Sequence, residues 1–395
     1  MRIAVIGKGT SSIITTLCLL RDGHSVEIYY DPDTPYLSVG ESTTPQIGGL
    51  INSVLDKTIL QMELDGVVSV KYGTKFIDWG IGKDWHHDIA LSNNIAFQFE
   101  TSEFNPYLHN ILADNGVKYI PRRVENYKND GNFIDIDGEI YDFIIECSGW
   151  GDESEYQKPI FETVNSAVTY KQNSIDVDKS YSIHRATEDG WQFELPFLRK
   201  GITKCGYLFD RNKINTESVI EKLSDYKIEN TIEWTPQFAK KIIQNKNCAY
   251  NGNKLFFHEP LEALSLQYYF VFADSICQYL RDRTLETYSL ANHSYHHEIW
   301  SYQMILASHY KYGSIYNTPF WEEKVKQSKS VMNIPLGDLD NLLENVVLDK
   351  VLHNQNIFTD LSKIGCYDVN DYIQIHCGMT GQSWEDILNT YKIEW

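Results

Sequence analysis

Arg2-Ile3-Ala4-Val5-Ile6-Gly7-Lys8-Gly9-Thr10-Ser11-Ser12 is the stretch on which the reading of the fold turns. A short apolar run, Arg2 to Ile6, enters a Gly-x-Gly turn; a helical pattern follows through Leu20, and Val26 to Tyr30 reads as a second strand. That order opens a dinucleotide-binding β-α-β unit. The two glycines let the backbone turn tightly and approach a pyrophosphate, whose charge then meets the positive end of the helix. Gly7, Gly9, Thr10, Ser11 and Ser12 are therefore expected to hold a nucleotide. Ser12 stands where a third glycine is usual, and either crowds the helix against the strand or offers a hydroxyl. An acid for a ribose hydroxyl belongs about 20 residues beyond the glycines. Tyr30 occupies that place and Asp31 the next, so Asp31 is the candidate, with a turn before Pro32 as its plainer role.

Working outward, Asn105-Pro106 predicts a helix start, Asn as cap and Pro at the first helical position, with the helix running to about Gly116. Strand-like runs follow at Lys118 to Ile120, Phe133 to Ile136, Phe143 to Glu146, Ser166 to Tyr170, Tyr181 to Arg185, Trp191 to Leu195 and Gly206 to Phe209. From Leu261 the periodicity turns helical, over Leu261 to Leu280 and Leu290 to Tyr310, with no linker or repeat before it. One compact unit over 1–395 is expected.

Composition narrows the function. The 395 residues are 42% apolar and 23% charged, enough for a large core. Against 54 acidic residues stand 35 basic ones, a formal charge of −19, which repels a phosphate backbone and argues against a nucleic-acid partner. Lys8 and the glycines interrupt the apolar N-terminal run, so it does not read as a signal peptide. No other stretch approaches the roughly 18 to 20 apolar residues of a membrane span. A soluble, cytoplasmic protein is expected. The seven cysteines are odd in number and never spaced C-x-x-C, which disfavours a disulfide framework and a zinc ribbon. His293, His296 and His297 have ligand spacing but lack the glutamate of H-E-x-x-H, so no metal is expected. Neither a G-x-S-x-G elbow nor a Walker sequence is present.

Val39-Gly40-Glu41-Ser42-Thr43-Thr44-Pro45 resembles the strap that flavin-dependent tryptophan halogenases lay over the isoalloxazine. Lys75-Phe76-Ile77-Asp78-Trp79 resembles that family's K-F-x-N-W segment, whose lysine is catalytic. Glu146-Cys147-Ser148-Gly149-Trp150 is similar to its D-C-S-G-F turn. Glu259-Pro260-Leu261-Glu262 is similar to E-P-L-E-S, whose second glutamate is the other catalytic residue, and Thr318-Pro319-Phe320-Trp321 resembles a further segment. The matches keep the family's order across residues 1 to 321. The resemblance implies an α/β, FAD-binding, flavin-monooxygenase-like fold of the glutathione-reductase type, with a mixed sheet and a largely helical C-terminal part. FAD-binding elements would lie mainly in 1–150 and 245–285, and substrate-covering elements in 75–110, 160–245 and 286–395. Gly40, Glu41, Ser42 and Thr43 join the cofactor-binding set on this ground.

The resemblance also implies the chemistry. Reduced FAD, O2 and halide yield hypohalous acid, which Lys75 hydrogen-bonds or takes up as a haloamine. Glu262 polarises the oxidant and accepts the proton the aromatic ring releases, with Glu259 as a rival base. The family's W-x-W-x-I-P appears as Trp191-Gln192-Phe193-Glu194-Leu195-Pro196, so Trp191, Phe193 and Pro196 are expected as the barrier between flavin and substrate; core filling is the plainer role of the two aromatics. Where the family has S-T-G beside its halide, the chain reads Ala263-Leu264-Ser265, which places the halide near Leu264 and Ser265 and suggests bromide or iodide over chloride. The chain ends at Trp395, without the Tyr-Tyr and Glu cluster that grips an amino acid backbone. An open site for indole- or phenol-type aromatics is expected, of the compact kind a phage might encode. A single glycine-rich nucleotide loop implies a separate flavin reductase as partner, and a homo-oligomer is compatible with the sequence. The rival readings are an FAD-dependent aromatic hydroxylase and an inactive FAD-binding protein. All of this requires Lys75 and Glu262 to converge on one sheltered cavity.

Overall fold

Ile3, Ala4 and Val5 are completely buried, as a continuous apolar run demands of a parallel strand covered on both faces. The computed structural model describes residues 1–36, 39–81, 84–89, 94–149, 155–173, 180–332, 367, 369–383 and 385–386. In it β1 (Arg2–Ile6) is followed by α1 (Thr10–Arg21) and β2 (Ser25–Tyr30). β1 pairs in parallel with β2 on one side and with Phe143–Glu146 on the other. Cys248–Tyr250 continues that parallel sheet next to Phe143–Glu146, so chain from well beyond residue 150 completes the layer begun by β1. α1 buries ten residues, and its last turn gives way at Asp22 and the left-handed Gly23.

Two of the four further sheets among the described residues frame the site. β3 (Gly40–Ser42), β4 (Val68–Lys71) and β7 (Ala96–Glu100) form an antiparallel trio with β7 in the middle. The seven-stranded sheet runs Lys227–Glu233, Ser166–Gln172, Ile202–Phe209, Gly190–Phe197, Tyr181–Thr187, β5 (Gly73–Ile77) and β6 (Trp85–Asp88). Only the pairing of Tyr181–Thr187 with β5 is parallel in it. One face of this sheet joins the main hydrophobic cluster, which extends from Ile3 to Met379. The other carries a small separate cluster of Val168, Tyr170, Cys205, Tyr207 and Phe209 against Val219 and Leu223. The C-terminal part is largely helical, through Leu264–Asp282, Leu285–Tyr310, Pro319–Met332 and Val369–Thr380. The result is the mixed α/β architecture with a helical C-terminal part that the sequence suggested.

One local expectation is corrected. The helix expected to start at Asn105-Pro106 begins at Thr101 and carries Pro106 inside it. Glu100, the last residue of β7, already adopts the extended N-cap conformation, so strand passes straight into helix. Asn105 is buried and accepts a hydrogen bond from the Thr10 hydroxyl at 3.3 Å instead of capping. No described helix is long and apolar enough to cross a membrane, and no described group of His, Cys, Asp and Glu is arranged to hold a metal ion.

Candidate active site

The β1–α1 turn forms one end of a cavity of about 1070 Å³, larger than the roughly 300–1,000 Å³ of most small-ligand pockets. Gly7 has φ +115°, and a Cβ there would stand 2.7 Å from the Cys147 carbonyl oxygen, so only glycine makes the turn. A Cβ on Gly9 would meet nothing within 4 Å; the space beside it is open cavity. Gly9 is also the N-cap of α1 and supplies no side chain to it, which leaves the positive helix end facing that space. Gly7, Gly9, Thr10 and Ser11 line the cavity, as do Asp31 and the Ser148-Gly149 turn. A large cavity with an uncapped helix at one end and a close backbone approach fits a dinucleotide. Ser12 points elsewhere: it is fully buried and its hydroxyl donates to the Gly9 carbonyl at 2.8 Å. Asp31 faces the cavity while accepting from the Asp33 amide at 2.9 Å and the Thr34 hydroxyl at 3.1 Å, so it serves as rim and turn together.

The strap behaves similarly. Gly40, Glu41 and Ser42 line the cavity. Thr43 does not; its amide and hydroxyl both donate to the Phe97 carbonyl, at 2.8 and 2.9 Å, pinning the strap to β7. Enclosure pushes the Glu41 carboxyl up to about 7, opposed by a 3.3 Å bond from the Thr10 hydroxyl.

Farther along the cavity wall the chain kinks at Glu262 and Ala263, both in the left-handed region at φ 53° and 65°. This backbone turns the Glu262 carboxylate away from the axis of the following helix and into a polar cluster. His87 Nδ1 donates to both Glu262 oxygens, at 3.0 and 2.9 Å, and His87 Nε2 donates to Asp371 at 3.0 Å. The Tyr367 hydroxyl also donates to Glu262, and His309 Nε2 lies 3.3 Å away. Burial alone would make His87 harder to protonate, but the Glu262 and Asp371 carboxylates outweigh it and raise its pKa to about 10. For Glu262 burial works upward, and the His87 cation and His309 hold it well below the carboxylate range. The pair is therefore charged across the neutral range.

Lys75 does not join this cluster. In the sheet Phe76 lies opposite Trp85 and His184, and Thr74 opposite His87 and Ser182, so these side chains share one face. Phe76 stacks on Trp85 at 4.0 Å, which fixes the direction. A strand alternates its side chains, so Lys75 projects from the opposite face, alongside His86. There it is a quarter exposed and pairs with Asp84 at 2.9 Å. The lysine that the fold does bring to Glu262 is Lys71, the last residue of β4, which is 4% exposed. Among the described residues it has no hydrogen-bond or ion-pair partner. Burial lowers its pKa to about 8, and the attraction of the Glu262 carboxylate limits the fall. His184, which lines the cavity and lies within electrostatic reach of Lys71 and Glu262, is kept neutral by burial with its pKa lowered to about 3.

The barrier and halide candidates divide in the same way. Phe193 and Leu195 line the cavity, and Trp191 continues their row behind it, fully buried, with its ring 4.8 Å from His184 and 5.9 Å from Trp79. Pro196 is buried with its carbonyl accepting from Gln98 rather than facing the cavity. Ser265 opens on the cavity, as does Ala263, the N-cap of the Leu264–Asp282 helix, which has no side-chain cap. Leu264 is turned into the core and completely buried. Glu259 is removed from Glu262: the Thr163 and Tyr310 hydroxyls donate to it, and burial raises its pKa to about 7. Trp150 lies outside the described residues.

Sequence reading missed Lys71, His87, His184, His309, Tyr367 and Asp371. The mark that sets Lys71 apart is structural: Val68-Ser69-Val70-Lys71 is a strand with no exposed position, and it ends on a lysine.

A sequence model of the tryptophan halogenase family matches residues 2–94 and 88–335. No curated protein matches by sequence. Among solved structures, a tryptophan halogenase from Shewanella frigidimarina NCIMB 400 superposes with a TM-score of 0.79 at 15% identity, over 99% of this chain and 93% of that one. BrvH, a flavin-dependent halogenase from Brevundimonas sp. BAL3, gives 0.75 at 16% identity, over 96% and 89%. Xcc4156, a flavin-dependent halogenase from Xanthomonas campestris, gives 0.74 at 16%, over 96% and 88%. At these identities the structural likeness speaks for the fold.

Proposed function

The chain belongs to the tryptophan halogenase family, and from that premise we propose that it halogenates an electron-rich aromatic of the indole or phenol type, with Lys71 and Glu262 as its catalytic pair. The observation that carries this reading is the buried Lys71 ammonium, unpartnered among the described residues and within electrostatic reach of the Glu262 carboxylate, whose neighbour Ala263 lines the cavity. FAD would be held in that cavity with Gly7, Gly9, Thr10 and Ser11 on its pyrophosphate and Gly40, Glu41 and Ser42 at its isoalloxazine, and, reduced and supplied with O2 and halide, it would provide hypohalous acid.

The chain's own residues do the rest. The uncapped helix end at Ala263, with Ser265, favours an anion on the cavity side. Phe193 and Leu195 keep water and substrate from that side, with Trp191 behind them. Lys71 donates a hydrogen bond to the oxygen of the oxidant and so fixes a diffusible reagent. Glu262, held anionic by His87, takes the proton released when the ring recovers its aromaticity. Replacement of S-T-G by Ala263-Leu264-Ser265 favours bromide or iodide over chloride. A separate reductase supplies the reduced flavin.

The test is turnover of a panel of indoles, phenols and anilines with FAD, a generic flavin reductase, O2 and each halide, read by mass spectrometry. Halide-dependent halogenated products are expected. Hydroxylated products formed without halide would identify an aromatic hydroxylase and overturn the proposal.

A further inference from the structure

Tyr367 places on Glu262 a hydroxyl group that the reaction above leaves unused. It is 6% exposed, its hydroxyl donates to a Glu262 oxygen, and its ring stands edge-on to His87 at 5.2 Å and to His309 at 6.5 Å. His87 is itself fixed by both Glu262 oxygens and Asp371, so the ring is held against a rigid wall. A phenol is an electron-rich aromatic. Donation of its O–H to a carboxylate pushes electron density into the ring, chiefly to the two carbons beside the hydroxyl-bearing one. Those carbons lie beside the hydroxyl bonded to Glu262, the carboxylate read as taking the ring proton.

We infer that Tyr367 is an internal substrate, halogenated by its own chain at a carbon ortho to the hydroxyl. The inference rests on the halogenase reading. The step balances as ring C–H plus hypohalous acid giving ring C–halogen plus water. The halogen–oxygen bond breaks as the carbon–halogen bond forms. The ring carbon is oxidised by two electrons and the halogen reduced. The departing hydroxide takes a proton from the Lys71 ammonium, and the ring proton goes to Glu262, whence it returns to Lys71.

The experiment incubates the full chain with FAD, a flavin reductase, O2 and bromide, together with a free indole, and maps the digested protein by mass spectrometry. The expected result is a bromine-for-hydrogen increment on the peptide carrying Tyr367, absent from Tyr367→Phe and from Glu262→Gln. Tyr72 and Tyr226, 41% and 40% exposed, report freely diffusing oxidant. Labelling at Tyr367 should exceed theirs about tenfold, a modest rate advantage of about 1.4 kcal/mol. Equal labelling at all three would overturn the inference. Brominated indole with an unmodified Tyr367 would overturn it while leaving the halogenase reading intact. Neither brominated indole nor a labelled peptide would defeat that reading, and the inference with it.

Discussion

Replacing Lys71 by methionine should abolish halogenation while leaving the fold as stable as before, or more so. Lys71 is an ammonium in a site that is 4% exposed, and burial moves its pKa from 10.5 to about 8. A fall of that size opposes folding by about 3 kcal/mol. The sign follows from the two protonation states. Below pH 8 the lysine is a cation both folded and unfolded, so the whole penalty is present; it fades as pH rises towards 10.5 and the unfolded chain also loses the proton. Methionine keeps the unbranched stem without the charge. Lys71→Met therefore gains up to about 3 kcal/mol at pH 7, a figure in which the attraction of Glu262 is already included. Loss of a preorganised donor to the oxidant should cost about 100-fold or more in turnover. Lys75→Met removes an exposed pair worth about 0–1 kcal/mol and should leave turnover unchanged. The assay combines product formation with urea midpoints for both variants. Retained halogenation in Lys71→Met together with its loss in Lys75→Met would refute the argument from sheet faces. The pH profile adds a second check: a donating ammonium requires turnover to fall as pH rises through about 8, whereas a haloamine would require it to rise.

Three further outcomes can be measured on the same protein. His87→Gln leaves Glu262 and Asp371 without their shared cation and should cost about 3–5 kcal/mol; because the folded His87 pKa is raised to about 10, the deficit should be full at about pH 6 and close as pH rises through 10, so a deficit constant in pH argues against the ion pair. Glu259→Gln should abolish a loss of stability in the parent of up to about 3 kcal/mol as pH rises from 4.5 through 7, since the buried carboxyl has its pKa raised to about 7; identical urea midpoints for parent and variant at both ends would contradict it. Gly7→Ala forces a Cβ to 2.7 Å from the Cys147 carbonyl at φ +115°, a strain of about 1–3 kcal/mol, and should lose flavin absorbance on gel filtration while far-UV circular dichroism persists.

How much of this was legible in the sequence follows from how local each signal is. The turn at Gly7 and Gly9 and the strands and helix around it are local patterns, and all of them appear where the residues put them. The start at Asn105-Pro106 failed because cap chemistry was read without the preceding strand, whose last residue already has the extended cap geometry. Lys75 failed for a different reason. Lys71 and Lys75 are four residues apart and would share a face of one continuous strand. They lie instead in two strands of different sheets, separated by Tyr72, and only long-range pairing reveals the break. His87 and Tyr367 reach Glu262 from 175 and 105 residues away, respectively, with no motif around them.

The electrostatics of the site give this arrangement a direction. Lys71 and His87 contribute two positive charges, Glu262 and Asp371 two negative ones, and His184 in the cavity lining stays neutral. Over these four side chains the charges cancel, so they exert little net pull on a halide anion. The anion finds its favourable field on the cavity side, at the open helix end by Ala263 and Ser265. Hypohalous acid is neutral near pH 7 and needs no such field. Oxidation and transfer can thus be kept apart by charge as well as by the wall of Phe193 and Leu195, with His184 as a polar side chain in the cavity lining. On this account neutralising Glu262 should admit halide to the inner pocket, so Glu262→Gln should lose turnover and, in addition, show inhibition by excess bromide that the parent lacks. Equal bromide dependence of residual turnover in parent and variant would mean that charge plays no part in the separation.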